Sequence, residues 1–154
     1  MPNFGKIRVY FTSSELVPVG EKKKLMREFV DFCSRSLMLS NDYEIYIVHE
    51  REKYTIVTTA ICYPEQGKLY VYGKGRSFPD MLRSIAHELT HMMQHEKGGL
   101  DYNELHFSSD QEDEANKFAG ELLNAFSAVI GYDRIYEGRR ENSIKALGTR
   151  RNLG

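Results

Sequence analysis

The sequence has little of what several protein classes need. It holds no tryptophan, four prolines and two cysteines, and its formal net charge is −1 with histidine neutral. Cys33 and Cys62 lie far apart, outside any CxxC pair and in apolar company, which favours buried core thiols over a disulfide framework. The near-zero net charge gives no field directed at nucleic acid or an acidic membrane. A cytoplasmic protein in a reducing compartment fits these absences.

Long hydrophobic runs are also missing. The first twenty residues contain no continuous apolar stretch of the kind found in signal peptides, and no segment is long enough to span a bilayer. A chain of 154 residues is long enough for one domain that buries about 68–70% of its unfolded surface. We expect a single domain over residues 1–147 and a flexible tail over 148–154.

The hydrophobic period predicts an α+β domain. "IRVYF" at 7–11 fits a short first strand, and a three-to-four-residue apolar step from Glu21 to Leu37 predicts a helix. Alternating or β-branched segments at 43–50, 54–64 and 67–75 predict a small antiparallel three-stranded sheet, with 67–75 as an edge open to an extended substrate. Helical periods follow at 77–98, at 109–131 with Ser109 or Asp110 as the cap, and more weakly at 133–147.

The stretch "SIAHELTHMMQHEKGG" carries the clearest chemical pattern. His87, Glu88 and His91 form HExxH within a predicted helix, where four residues make a little over one turn, so both imidazoles lie on one face. Two imidazoles and one carboxylate leave a fourth zinc position for water, and Glu88 is placed to contact that water. The alternative is a solvent-facing helix with scattered polar residues, but the apolar residues around the motif weigh against it.

His95 continues the four-residue step, but helical geometry argues against a third ligand there. Between His87 and His95 the helix rises about 12 Å, whereas zinc–nitrogen bonds are about 2.0–2.1 Å. His95 therefore fits a contact at the rim of the site or a residue of the last helical turn that complements the helix dipole.

The next predicted helix offers a better third ligand. Glu112 lies one turn before Ala115, on the face where Ala115 and Ala119 would allow a close approach to the HExxH helix. We therefore predict Glu112 as the third ligand and Glu114 as the reserve. Asn116, one turn after Glu112, is predicted to support a ligand histidine through a hydrogen bond.

These motifs together resemble the gluzincins, the thermolysin-like zinc peptidases, and above all the compact ImmA/IrrE-type metallopeptidases. "HELTH" matches the first motif, and "EDEANKFAGELL" at 112–123 (with Asn116 at a position that is Asp or Asn in the family) resembles the second. The resemblance spans about residues 21–126. It implies one zinc ion per chain, held by His87, His91 and Glu112, with Glu88 as the catalytic residue.

The expected function is zinc-dependent hydrolysis of a peptide bond through an activated water, with Glu88 as general base. We expect a protein or peptide substrate, and neither a membrane nor nucleic acid as partner. The sequence does not determine the oligomeric state, the substrate or any trigger. Candidates for oxyanion or substrate contacts are His95, Tyr102, His106 and Tyr72.

Two alternatives stay open. A DNA-associated protease of the SprT/Spartan type would use a histidine such as His106 as the third ligand, and basic residues between 134 and 151 as the DNA contact. A catalytically silent zincin fold would act as a binding module, although such a module has no need of Glu88.

Overall fold

The computed structural model describes residues 3–98 and 107–136, which form one mixed sheet and a set of helices. The elements in chain order are β1 (Ile7–Phe11), α1 (Lys22–Ser36), β2 (Tyr43–Val48), β3 (Ala60–Tyr63), β4 (Lys68–Tyr72), α2 (Phe78–Glu96), α3 (Ser109–Ile130) and α4 (Tyr132–Ile135). The predicted α+β class and the predicted short first strand are confirmed. The predicted boundary between a domain and a tail at residue 147 lies outside the described residues, as does most of the predicted last helix.

The sheet differs from the predicted one. It has four strands in the order β1-β2-β4-β3, and only the β3–β4 pair is antiparallel, so the prediction of a three-stranded antiparallel sheet is wrong. The link from β2 to β3 spans residues 49–59 and contains the 3-10 turn Glu52–Tyr54 rather than a tight glycine turn. That length lets β3 lie away from β2, and β4 then inserts between them.

β2 accordingly lies inside the sheet, and its burial reflects that position. Tyr43, Ile45, Ile47 and Val48 are all at most 2% exposed, as expected for a strand paired on both sides. β4 is likewise paired on both sides, so the expectation that residues 67–75 form a free edge is wrong; β3 forms that edge. The turn before β4 ends at Gly67, which lies in the left-handed region at φ +67°.

The two faces of the sheet have different surroundings. On one face, Val9, Ile45 and Leu69 join the hydrophobic core that the helices supply. On the other face, the rings of Tyr10, Tyr46 and Tyr70 stack across neighbouring strands, with centroids 5.2 and 5.3 Å apart. The core therefore lies between the sheet and its helices, and strand alternation places the tyrosines opposite.

The helix boundaries follow local capping chemistry. The Ser77 side chain accepts a hydrogen bond from the Asp80 amide at 3.3 Å, which caps α2. α3 is capped by Ser108 rather than by Ser109 or Asp110, because extended Ser108 forms a reciprocal capping box with Gln111. Gly131, at φ +107°, ends α3 as predicted. Within residues 3–98 and 107–136, no helix has the length and apolarity needed to cross a membrane.

Candidate metal centre

The candidate site lies where α2 and α3 pack together. His87 and His91 are on one face of α2, and Glu112 is in the first turn of α3. The close approach of the two helices rests on small side chains, since Ala115 and Ala119 are 0% and 1% exposed. This confirms the predicted inner face of α3, on which Glu112 precedes Ala115 by three residues.

Three side-chain atoms converge there. The Nε2 atoms of His87 and His91 lie 3.2 Å apart, and Glu112 Oε1 lies 3.2 Å from the first and 2.5 Å from the second. Among the residues that the structure describes, these three form the cluster of ligand-type atoms that could hold a metal, all within 4.8 Å of one another. The site is therefore assembled from both predicted motifs.

His91 is the buried member of the cluster, with its side chain 2% exposed. The ring of Phe107 stacks on its imidazole at a centroid distance of 3.6 Å, and Gln94 Oε1 lies 2.7 Å from its Nδ1. Burial is the largest influence on the pKa of His91 and lowers it. The Gln94 contact acts to raise this pKa and the neighbouring His87 acts to lower it, so the pKa lies below its ordinary value. His91 is therefore neutral at physiological pH, the form in which an imidazole binds metal.

Glu88 lies against the core rather than in the solvent, with 8% of its surface exposed. Burial raises its pKa to about 7; the charge of Glu112 adds to that rise, and an interaction with the Cys62 thiol opposes it. A buried carboxyl group with a pKa near neutrality is poised to take up and release a proton. Cys62 is on β3, so this contact brings the edge strand next to Glu88.

The donor set fits zinc. Two imidazole nitrogens and a carboxylate oxygen form the usual ligand set of a hydrolytic zinc site, and ligands of one tetrahedral zinc lie roughly 3.3 Å apart. The two separations of 3.2 Å are close to that value, and the third is shorter. The cluster is also open on one side, because the side chains of His87 and Glu112 are 22% and 49% exposed. A closed structural site would have a fourth protein ligand there.

The other sequence candidates lie outside this cluster. His95 is partly buried in the last turn of α2, and Tyr72 shares the tyrosine face of the sheet, where the Arg51 guanidinium lies 4.3 Å from its ring centroid. Glu114 accepts a hydrogen bond from Gln94 at 2.9 Å, and Asn116 is exposed. The supporting role predicted for Asn116 stays a prediction. Tyr102 and His106 lie outside the described residues.

Three residues at the site were not singled out from the sequence: Gln94, Phe107 and Cys62. The signal for Gln94 was its position three residues after His91, because residues three apart on a helix are neighbours. Phe107 and Cys62 gave no such signal, since each reaches the site from a different element. In particular, Cys62 is remote from the HExxH motif in sequence and adjacent to Glu88 in space.

The comparison with known families agrees with this geometry. Residues 50–124 match the model of the family Peptidase_M78, described as the IrrE N-terminal-like domain. No curated protein and no solved structure matches the chain significantly. The matched segment contains the HExxH helix and the first turn of α3, and thus all three members of the cluster. Over the segment that builds its candidate metal centre, the chain is similar to the IrrE N-terminal-like domain of the Peptidase_M78 family.

Proposed function

We propose that the chain is a zinc-dependent metallopeptidase that hydrolyses peptide bonds of a protein substrate. The observation that carries the proposal is the convergence of His87, His91 and Glu112 at distances suited to one metal ion. The M78 family match supports the reaction class. The buried carboxyl group of Glu88, next to His87 in the chain, supplies the group that a hydrolytic site needs beside its metal.

His87, His91 and Glu112 would hold one zinc ion. A zinc ion bound there would acidify a water molecule and polarise the scissile carbonyl group. The neutral state of His91 supports this role, and the exposed sides of His87 and Glu112 leave room for water and substrate.

Glu88 carries the proton transfers in this proposal. Its carboxylate takes a proton from the attacking water, and the resulting carboxylic acid returns that proton to the amine that leaves when the peptide bond breaks. Burial of Glu88 among core residues limits its contact with bulk water, and the Cys62 thiol lies beside its carboxyl group.

β3 is the strand we propose for substrate binding. It is the sheet edge nearest Glu88, because Cys62 in the middle of this strand contacts Glu88. An extended peptide that pairs with a free strand edge gains main-chain hydrogen bonds without requiring a particular sequence. A peptide paired with β3 would therefore pass close to the cluster.

The test combines metal content with cleavage. We expect the purified chain to bind one zinc ion, and to cleave members of a proteome-derived peptide library in a chelator-sensitive way that mass spectrometry detects. Glu88→Gln should keep zinc and lose cleavage, whereas His87→Ala and Glu112→Ala should lose zinc. Asp113→Ala is the matched control, since Asp113 is an exposed carboxylate in the same turn as Glu112. Cleavage at the normal rate by Glu88→Gln would refute the mechanism.

The same experiment separates the two alternatives. Zinc retained in Glu112→Ala, together with salt-sensitive DNA binding, would favour the DNA-associated protease. Of the basic residues invoked for DNA contact, Arg134 forms an ion pair with Glu21 at 2.9 Å, and those from 139 onward lie outside the described residues. Zinc bound by a chain that cleaves no library member would favour the binding module.

A further inference from the structure

We infer that Gln94 is a positioning residue for this metal centre, holding His91 in its metal-binding tautomer and holding the first turn of α3 beside it. Gln94 is 5% exposed and makes three hydrogen bonds, one to His91 and two to α3. The inference rests on the proposed function, because it assigns the residue a role at the proposed zinc site.

The first step is the orientation of the Gln94 amide. Its Nε2 lies 2.9 Å from the carbonyl oxygen of Gln111 and 2.9 Å from Glu114 Oε1. A carbonyl oxygen only accepts hydrogen bonds, so the Gln94 atom facing it must be the NH₂ group. The amide oxygen therefore faces His91.

The second step is the tautomer of His91. The Gln94 amide oxygen has no hydrogen to donate, so the Nδ1 of His91, 2.7 Å away, must carry the proton. A neutral imidazole with its proton on Nδ1 has its lone pair on Nε2. That nitrogen is the one that faces His87 and Glu112, so Gln94 selects the tautomer able to bind a metal at the cluster.

The third step concerns α3. Gln111, whose carbonyl group accepts from Gln94, is the residue immediately before Glu112. The same amide group thus connects the buried ligand on α2 to the backbone that carries the third ligand. Glutamate at position 94 would supply the acceptor without the donors, and an apolar residue would supply neither. The contact with His91 is buried and the two contacts with α3 are part-buried, so the largest cost of a lost partner falls on His91.

The experiment measures the tautomer without metal and the zinc affinity with it. Without metal, the Glu112 carboxylate, 2.5 Å from Nε2, can only accept and would favour a proton on that nitrogen, so the tautomer is measured in the Glu112→Ala background. There, two-bond and three-bond nitrogen–proton NMR correlations, recorded above the pKa of His91, should show a protonated Nδ1 and a bare Nε2. Gln94→Met in that background should shift the population toward protonated Nε2, and as a single change it should weaken zinc binding about 10–100-fold in competition with a chelator. A folded Gln94→Met chain with the original tautomer and with zinc affinity within about twofold overturns the inference.

Two further variants keep the test informative if Gln94→Met does not fold. Gln94→Glu keeps the acceptor for His91 but loses the donors to α3, so we expect the original tautomer with weaker zinc binding. Adding Glu114→Gln restores a donor across the contact between positions 94 and 114 and should recover part of the affinity. Unchanged zinc affinity in Gln94→Glu overturns the inference that Gln94 holds the first turn of α3.

Thr90→Val is the matched control. Thr90 is 0% exposed, lies on the same turn of α2 and donates only within the helix, to the Ala86 carbonyl at 2.8 Å. It should change stability but neither the tautomer nor the zinc affinity, which distinguishes positioning from general packing. Absence of zinc binding by the unmodified chain would refute the proposed function, whereas the original His91 tautomer together with a nearly unchanged zinc affinity in Gln94→Met refutes the role of Gln94 alone.

Discussion

Glu96, at the end of the HExxH helix, should contribute more to stability than its position near the surface suggests. Its carboxylate accepts hydrogen bonds from the Ser40 amide at 2.8 Å, the Ser40 hydroxyl at 2.9 Å and the Asn41 amide at 3.2 Å, and also from the Tyr43 hydroxyl. These donors come from the segment that leads into β2. Glu96 therefore ties the end of α2 to the start of a central strand.

The predicted perturbation is Glu96→Ala. A hydrogen bond to a charged group contributes about 1.5–3 kcal/mol, but the three contacts from Ser40 and Asn41 are exposed, and water replaces most of their value. The Tyr43 contact is part-buried, so water replaces little of its contribution to stability. We therefore expect the free energy of unfolding to fall by about 2–3 kcal/mol, measured by urea denaturation of the metal-free chain. Tyr43→Phe should lose about 1.5–2 kcal/mol.

The pH dependence follows from the pKa of Glu96. Partial burial acts to raise this pKa, but the hydrogen bonds from Ser40, Tyr43 and Asn41 outweigh it and hold the pKa below the ordinary value of 4.5. A lowered pKa in the folded state means that the contribution is complete above pH 4.5 and is lost as the pH falls through the folded-state pKa. The difference in stability between the unmodified chain and Glu96→Gln should therefore shrink in acid.

A double-mutant cycle provides the decisive comparison. The coupling energy between Glu96→Ala and Tyr43→Phe should reach at least about 1 kcal/mol, because each change removes the same contact. Glu121→Ala, an exposed glutamate of α3, is the control and should change stability by less than about 0.5 kcal/mol. Full additivity of the two changes, or a loss below about 0.5 kcal/mol in Glu96→Ala, would refute the reasoning.

Three other predictions concern metal linkage and backbone space. Zinc at 100 times its dissociation constant should stabilise the chain by about 2.7 kcal/mol and raise Tm by about 5–10 °C in a thermal scan. His91→Ala should abolish that rise, and an equal rise in Tm in the variant would contradict the ligand set. Gly120→Ala should raise the free energy of unfolding by about 0.5–1 kcal/mol in urea, since a Cβ there meets only Arg83 Nη1 at 3.6 Å; a loss of stability would show that the helix needs glycine. Gly5→Ala should lower the free energy of unfolding by at least about 2 kcal/mol in the same assay, because its Cβ would lie 1.8 Å from the Asn41 carbonyl oxygen. An unchanged free energy of unfolding would show that this loop moves freely.

Local chemistry was readable from the sequence because it depends on spacing along one helix. His87 and His91 share a face because they are four residues apart, and Gly131 ends α3 because glycine adopts positive φ without strain. The small inner face of α3 was equally visible, since Ala115 and Ala119 recur at the helical period. Each of these features needs only a few neighbouring residues.

Strand pairing and the surroundings of the site required the tertiary structure. Alternation showed which segments are strands but not their neighbours, and only the packed sheet placed β4 between β2 and β3. For the same reason, nothing in the sequence placed Cys62 beside Glu88 or connected Gln94 to Gln111, since each contact joins two separate elements. The sequence by itself determined the helical spacing that makes His87, His91 and Glu112 the predicted metal ligands. The packing of α3 and β3 against α2 decided which partners orient them, because those contacts form only when distant segments meet.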